Sequence, residues 1–423
     1  MSQAPDRGVA ERLDAADPLA HFRNEFVIRD PAQCYLDGNS LGRLPLRTRA
    51  AVLRFLDEEW GGRLVEGWQE WIVEAMRTGD LIGRTVLGAG PGQVLATDTT
   101  SVNLYRLAAA ALDARPGRGT VIVDAANFPT DRYILEGLCA ERGRTLVILD
   151  NEDGADHERI TPARLAPLLG PDVALVSLQV VQYRSGARQD VPGLTALVHA
   201  HGAHLLWDAA HAAGSVPLHL DHWGVRLAVG CTYKYLNAGP GAPAWLYIAH
   251  AEQDRLQAPI QGWFAQADQF AMGPHFDRAA GIRGHAVASP SIIGLRCVQA
   301  GVSLIEEATM AACAHKCATG TALMVDLVDA WLTPLGFTLG TPREAEQRGG
   351  HLSLHHPDAA LISAALRQRA GVVADFRRPD AIRVAISPLA TSYCEVWDGF
   401  ARLRDCVASG AYTDADLGPG TVT

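Results

Sequence analysis

Seven short apolar runs constrain this chain more than any other feature: Val94–Thr97, Thr120–Asp124, Thr145–Leu149, Val173–Ser177, His204–Asp208, Leu227–Cys231 and Ala244–Ile248. None alternates cleanly between apolar and polar residues, so each is expected to be covered on both faces. Helical patterns separate most of them, and short buried runs spaced by helices specify a mostly parallel sheet with helices on both sides. The runs predict one large α/β domain over residues 45–300, built on a seven-stranded sheet. Helical periodicity places further helices at Arg49–Trp60 and Trp68–Leu87. Beyond 300 the pattern changes to a long amphipathic helix, Val298–Leu332, strands near His351–His355 and Ile382–Ile386, and helices Ala359–Ala370 and Ser392–Ser409. Residues 301–423 are therefore expected to form a smaller α+β domain, joined by the charged, helix-prone segment 1–44. The end at Gly418-Pro419-Gly420 is expected to fray.

A chain of 423 residues is long enough for more than one core, in keeping with that division. The net charge of −10 argues against nucleic acid as a partner, because phosphate backbones select basic surfaces. The eight cysteines are scattered without a C-x-x-C pair, which suits reduced thiols in a cytoplasm. The first residues carry no charged-then-apolar export signal, and no apolar run reaches membrane-spanning length. A cytoplasmic protein without a membrane partner is the expectation.

In a sheet of this kind ligands bind outside the carboxyl ends of the strands. The most informative such stretch is Cys231-Thr232-Tyr233-Lys234-Tyr235-Leu236-Asn237. Of 37 lysine and arginine residues only two are lysines, Lys234 and Lys316. Arginine serves salt bridges and solubility as well, but a guanidinium cannot act as an amine nucleophile, whereas a lysine can form a Schiff base. Lys316 lies in a helical pattern and is expected on the surface. One run earlier, Asp208 ends His204–Asp208 and is followed by His211. A strand-end carboxylate can hold a pyridine nitrogen protonated, and with a lysine on the next strand end it makes the pair a pyridoxal phosphate (PLP) site requires. Helix capping is the plainer reading of Asp208. Asp98–Asn103 puts Thr100 and Ser101 at a helix start, where amides and dipole favour phosphate, although capping selects the same residues. Phe128 and Asp131 follow Thr120–Asp124, and an aromatic there can stack on a ring.

Three other patterns carry less. Gly88-Ala-Gly-Pro-Gly92 precedes a strand and lacks dinucleotide spacing. His199, His201 and His204 straddle a helix end and a strand start, and Cys313 and Cys317 sit in an alanine-rich helix, so no metal site is expected.

Together these stretches resemble kynureninase, a fold-type-I PLP enzyme family. The resemblance runs through Tyr35–Gly42, Thr97–Leu104, Asn127–Asp131, Tyr183–Gly186, Trp207–His211, Thr232–Gly241, Gly262–Phe264, Arg348–Ser353, Ala374–Arg377 and Ile382–Arg383. It implies a PLP-transferase-like fold and hydrolytic Cβ–Cγ cleavage of L-kynurenine to anthranilate and L-alanine, a step of tryptophan catabolism. Lys234 would hold PLP as a Schiff base and move the α-proton, with Asp208 on the pyridinium nitrogen and Tyr233 as the acid for the β-carbon. Phe128, Asp131 and His211 would flank the ring. Thr100, Ser101 and Tyr233 would bind phosphate, with Trp263 and Ser289 from the loops that follow. The family's homodimer would share the site, Trp263 coming from the second subunit. Arg383 and Asn39 would take the substrate carboxylate, and Trp68 resembles the bacterial members, which favour kynurenine over its 3-hydroxy form. The chain departs from the family at Gly281–Ser289, where Ala288 and Ser289 border the aryl pocket and His285 has no counterpart, and at Ala390, where tyrosine is usual. Those departures leave open a 3-hydroxylated or otherwise ring-substituted kynurenine. A cysteine desulfurase or β-lyase and an inactive binding protein are the remaining alternatives.

Overall fold

The computed structural model describes residues 6–150 and 158–417, so the expectation for Gly418-Pro419-Gly420 lies outside the described residues. All seven runs become strands of one sheet, in the spatial order Val94–Ala96, Trp245–Ile248, Leu227–Gly230, His204–Asp208, Val173–Gln179, Thr120–Asp124 and Thr145–Leu149. Trp245–Ile248 runs antiparallel to both neighbours and every other pairing is parallel. The four strands from Val173–Gln179 to Trp245–Ile248 are buried at every residue, which is why their sequences do not alternate. Successive side chains still divide between two faces. Leu206 packs with Leu104, Leu107 and Val229 under the helix Thr100–Asp113, whereas Leu205 and Trp207 join Val198, Leu295 and Val302 on the other side.

A second body carries a four-stranded antiparallel sheet in the order Asp375–Arg377, Ala381–Ala385, His351–His355, Thr338–Leu339. The N-terminal strand Cys34–Tyr35 pairs in parallel with Val372–Val373, and Ala10, Cys34 and Leu36 share a core with Val396 and Phe400. Leu19, Phe22 and Phe26 pack instead into the large core. No helix among the described residues is long and apolar enough to cross a membrane.

Two expectations are corrected. The helix expected over Val298–Leu332 is two helices, Ile292–Ala308 and Met310–Leu327. Between them Thr309 adopts φ 67°, and its hydroxyl accepts a hydrogen bond from the Ala312 amide at 3.3 Å, capping the second helix as the first one ends. Hydrophobic periodicity passes through such a break unchanged. Lys316 is not a surface residue: it is 3% exposed, pairs with Asp17 at 2.6 Å, and lies 5.7 Å from the centre of the Tyr393 ring. Its helix is covered on that side by the N-terminal segment and by Tyr393–Ala408.

Lys316→Ala would leave the Asp17 carboxylate buried and unpaired, a change worth about 3–5 kcal/mol. Urea unfolding should record that loss, and Asp17→Asn added to Lys316→Ala should recover much of it. Wild-type stability in the single variant would show that this ion pair does not hold the N-terminal segment.

Candidate active site

The strands His204–Asp208 and Leu227–Gly230 lie side by side in parallel, with Asp208 opposite Val229, so their carboxyl ends open at one place. The chain leaving Gly230 turns back over that end. Tyr233 accepts a hydrogen bond from the Gly42 amide at 2.8 Å, and Thr232 Oγ1 donates to the Pro243 carbonyl at 2.7 Å. The approach is close: a Cβ on Gly42 would meet the Lys234 carbonyl at 2.4 Å, and one on Gly301 would meet the Leu236 carbonyl at 2.1 Å. Tyr35–Gly42 and the helix Ile292–Ala308 thus clamp the lysine loop from two sides.

Lys234 Nζ lies 2.9 Å from His211 Nε2. Asp208 accepts from the Ala210 amide at 2.8 Å and from Gln179 Nε2 at 3.3 Å. The Asp131 carboxyl lies against Asp208 and shares a hydrogen bond with it. Phe128 and Asp131 occupy one turn, the Asp131 amide donating to the Phe128 carbonyl at 3.0 Å, and the Phe128 ring meets Tyr183 edge-on at 5.2 Å. Four predicted residues, Lys234, Asp208, Asp131 and His211, therefore meet, with Phe128 and Tyr233 beside them.

Burial dominates their protonation. It raises the Asp131 carboxyl well above the ordinary range, and the neighbouring Asp208 adds to that. Asp208 is raised by burial and drawn back by Lys234. His211 is driven well below its usual value by burial and then by Lys234, and the Lys234 amine is itself lowered by burial. The Tyr233 phenol is raised by burial and then by Cys231 and Asp208 nearby, so it stays protonated.

Thr100 sits in the first turn of the fourteen-residue helix Thr100–Asp113, and its buried hydroxyl has no hydrogen-bond partner among the described residues. The loop before it reaches the lysine loop through Pro243 and Ala244: the Thr97 amide donates to Ala244 at 2.8 Å and the Ala244 amide donates to Asp98 at 3.0 Å. Ser101 is half-buried next to it. Asn39 is fully buried with neither amide atom bonded. Arg383, by contrast, is engaged: its Nε donates to Asp375 at 2.8 Å, a second nitrogen to the same carboxylate, a third to the Tyr183 carbonyl, and Nη2 reaches Ser40 at 3.0 Å. Asp375 stays ionised: burial opposes this, but the Arg383 bonds outweigh it.

Trp263, Trp68 and Ser289 lie apart from Lys234, on an exposed face. Ser289 and Trp68 line one apolar hollow of about 560 Å³ with Phe55, Leu64 and Ile293. Trp68 meets Phe264 at 6.1 Å, Phe264 meets Trp263 at 4.6 Å, and Trp263 meets Phe270 at 6.5 Å. His285 does not enter that hollow; it is buried, with Nε2 at 3.1 Å from the Gln253 carbonyl and 2.7 Å from Arg278.

One residue was missed. His351, fully buried at the start of His351–His355, has its ring 5.2 Å from that of His211. It lies within the Arg348–Ser353 stretch, but a histidine opening a strand has no pattern of its own, and only the meeting of the two bodies brings it to the lysine.

The chain resembles known proteins along its whole length. Residues 314–403 match the family model for the kynureninase C-terminal domain. The kynureninase of Pseudomonas fluorescens is 38% identical over 413 residues, 96% of each chain, and that of Burkholderia pseudomallei (strain 1106a) is 37% identical over the same shares. Among solved structures, an apo cysteine desulfurase from Thermococcus onnurineus NA1 superposes with a TM-score of 0.76 at 17% identity, covering 97% of this chain and 99% of that one. A cystine C–S lyase in complex with its product cysteine persulfide gives 0.76 at 19% identity, covering 88% and 97%. At those identities the two structures establish a common fold.

Burial, then Arg383, pushes the His351 imidazole down to about 3, against about 6.5 when free. Between those values only the unfolded chain takes up this proton, so the stability His351 contributes is present above pH 6.5 and is lost as pH falls toward 3. His351→Gln should therefore flatten the dependence of unfolding free energy on pH between pH 4 and 6 by about 1.4 kcal/mol per pH unit. Urea titrations across that range check it; an unaltered slope would mean that the ring is already charged in the fold.

Proposed function

The chain belongs to the kynureninase family, and from that premise we propose that it hydrolyses the Cβ–Cγ bond of L-kynurenine, releasing anthranilate and L-alanine, with PLP as cofactor. The observation that carries the proposal is the buried cluster of Lys234, His211, Asp208 and Asp131 at the adjoining strand ends.

The side chains fit that cofactor. The unpartnered Thr100 hydroxyl, on a helix start rich in free amides, suits a phosphate, with Ser101 next to it in the same turn and Tyr233 as a further candidate ligand. The Asp208–Asp131 pair suits a protonated ring nitrogen, and the exposed Phe128 face suits the ring itself. When bound, PLP supplies an aldehyde for the lysine amine and a ring that spreads a carbanion's charge. Lys234, its amine's hold on a proton weakened by burial, takes the proton from the substrate α-carbon at Nζ, and His211 Nε2 orients it. Asp208 would hold the ring nitrogen by a hydrogen bond while Asp131 retains a proton. Water adds to the substrate γ-carbonyl, the Cβ–Cγ bond breaks to release anthranilate, and Tyr233, protonated, delivers a proton to the β-carbon that remains in L-alanine. Asn39 and the remaining Nη1 N–H of Arg383 receive the α-carboxylate, Asp375 holding the guanidinium in orientation.

The unsubstituted ring is the preferred substrate. The hollow beside Trp68 and Ser289 is walled by Phe55, Trp60, Leu64, Val65, Trp71 and Ile293 and contains no charged side chain to meet a ring hydroxyl. From Trp68 a run of ring contacts leads through Phe264 to exposed Trp263 and Phe270, with Met272 also exposed. We infer that two copies pair through this face in the cytoplasm, each lending Trp263 and its aromatic hollow to the other's lysine. A desulfurase that passes sulfur to its own thiolate needs an exposed cysteine of low pKa. None of the eight cysteines here is exposed, and burial raises every one of them.

Anthranilate release, followed by its fluorescence, should be about ten- to a hundredfold more efficient on kynurenine than hydroxyanthranilate release on 3-hydroxykynurenine, the range an apolar pocket achieves against an added hydroxyl. The reverse order would refute the assignment of the ring. Lys234→Arg should lower kcat by about a thousandfold or more and abolish covalent trapping of PLP by borohydride. Mixing Lys234→Ala and Trp263→Ala subunits should restore activity that neither has alone; no recovery would place the whole site within one chain.

A further inference from the structure

Phe128 and Tyr183 have a second use. They also line a cavity of about 620 Å³ that contains none of Lys234, Asp208, Asp131 or His211. That volume is in the range of small-molecule sites. The large body supplies the Phe128–Tyr183 pair, and the second body supplies Phe376 with an alanine floor from the helix Ala359–Ala365. The rim is cationic. Arg367 and Arg378 are exposed there, and neither enters an ion pair among the described residues. Between them Arg377 gives one nitrogen to Asp375 at 2.9 Å, but its Nε is buried without a partner. Only one acid, Asp416, is in the lining.

Aromatic walls and unpaired guanidinium groups select together for a flat ring bearing an anion: the ring gains from edge and face contacts, and the fork matches a carboxylate with two parallel hydrogen bonds. We propose that this cleft is a second binding site for planar aromatic carboxylates, with the ring against Phe128, Tyr183 and Phe376 and the carboxylate on Arg367 and Arg378. The class follows from the cavity. That the physiological occupant is the aryl product of this same enzyme rests on the kynurenine reading. Since Phe128 is a wall of both sites, an occupant here bears on the ring that faces the lysine, so product retained in the cleft slows turnover without competing for substrate.

Calorimetric titration of the holoenzyme with benzoate and with anthranilate should show two sites per chain. Arg367→Gln/Arg378→Gln should remove one of them or weaken it at least tenfold, while kcat/KM without added acid stays at the wild-type value. Aniline, which has the ring and no carboxylate, should bind the cleft at least tenfold more weakly than benzoate. In turnover, anthranilate should lower kcat as well as raise KM in the wild type and only raise KM in the double variant. A single site in both proteins, equal affinities in both, or aniline binding as tightly as benzoate overturns the proposal. The titrations need no turnover, so an enzyme inert toward kynurenine would refute the substrate reading and leave the cleft to be judged by binding alone.

Discussion

Removing charge from water at the ends of two neighbouring strands is the constraint on which this structure turns. Asp208, Asp131, His211 and Lys234 are packed where burial penalises each ionised form, and each responds in the direction its chemistry dictates. Two carboxyls side by side cannot both be anions, so Asp131 keeps its proton and Asp208 faces the lysine. An imidazole beside an amine cannot also be a cation, so His211 stays neutral and accepts. What remains is one carboxylate, one amine able to exchange a proton, and two neutral partners. That set is poised for a ligand bringing its own charge, whereas a conventional ion pair would have spent the lysine on a carboxylate. Lys316 shows the contrast: less exposed than Lys234, it is committed to Asp17 at 2.6 Å and has no freedom left.

The cluster persists because the backbone around it is over-determined. Gly42 and Gly301 admit contacts to the lysine loop that any side chain would block. The strands beneath are buried throughout and paired on both edges, so the loop rests on the least deformable part of the molecule. Asp375 plays a comparable part in the second body. By occupying two nitrogens of Arg383 it fixes the orientation of a guanidinium that would otherwise swing, Tyr183 and Ser40 take two further N–H groups, and one N–H on Nη1 is left over. The carboxylate end of the cleft is thereby built before a substrate arrives.

The large sheet was legible in the sequence because strands buried on both faces carry an uninterrupted apolar run, and each of the seven runs coincides with a strand. The lysine loop was legible because a chain almost without lysine keeps one at a strand end. Other features left no comparable trace. Val372–Val373 is a strand only because it finds Cys34–Tyr35 across more than 300 residues, and two residues are too short a signal to be recognised alone. Thr309 divides a helix through a backbone angle that leaves hydrophobic spacing intact. The burial of Lys316 depends on an N-terminal segment folding back over its helix, and scarcity alone did not distinguish it from Lys234 except by its setting. The meeting of His351 with His211 belongs to a contact between the two bodies, which no local pattern encodes.

The two ends of the proposed substrate are thus governed by different physics. At the amino-acid end, every group that would act on it is fixed within one chain by burial and hydrogen bonds, and a substitution there alters protonation states that are mutually dependent. At the ring end, the walls are apolar, exposed and distant in the same chain, and nothing titrates among them. The loop Gly281–Ser289 lies at this second end: His285 turns inward to Gln253 and Arg278 and leaves Ala288 and Ser289 at the surface. On the proposed reading, a change in that loop would alter which ring is accepted without touching the proton inventory around Lys234. Ring preference can therefore drift while the cleavage chemistry stays constant, and for that reason the chemistry is easier to infer from this chain than the identity of its ring.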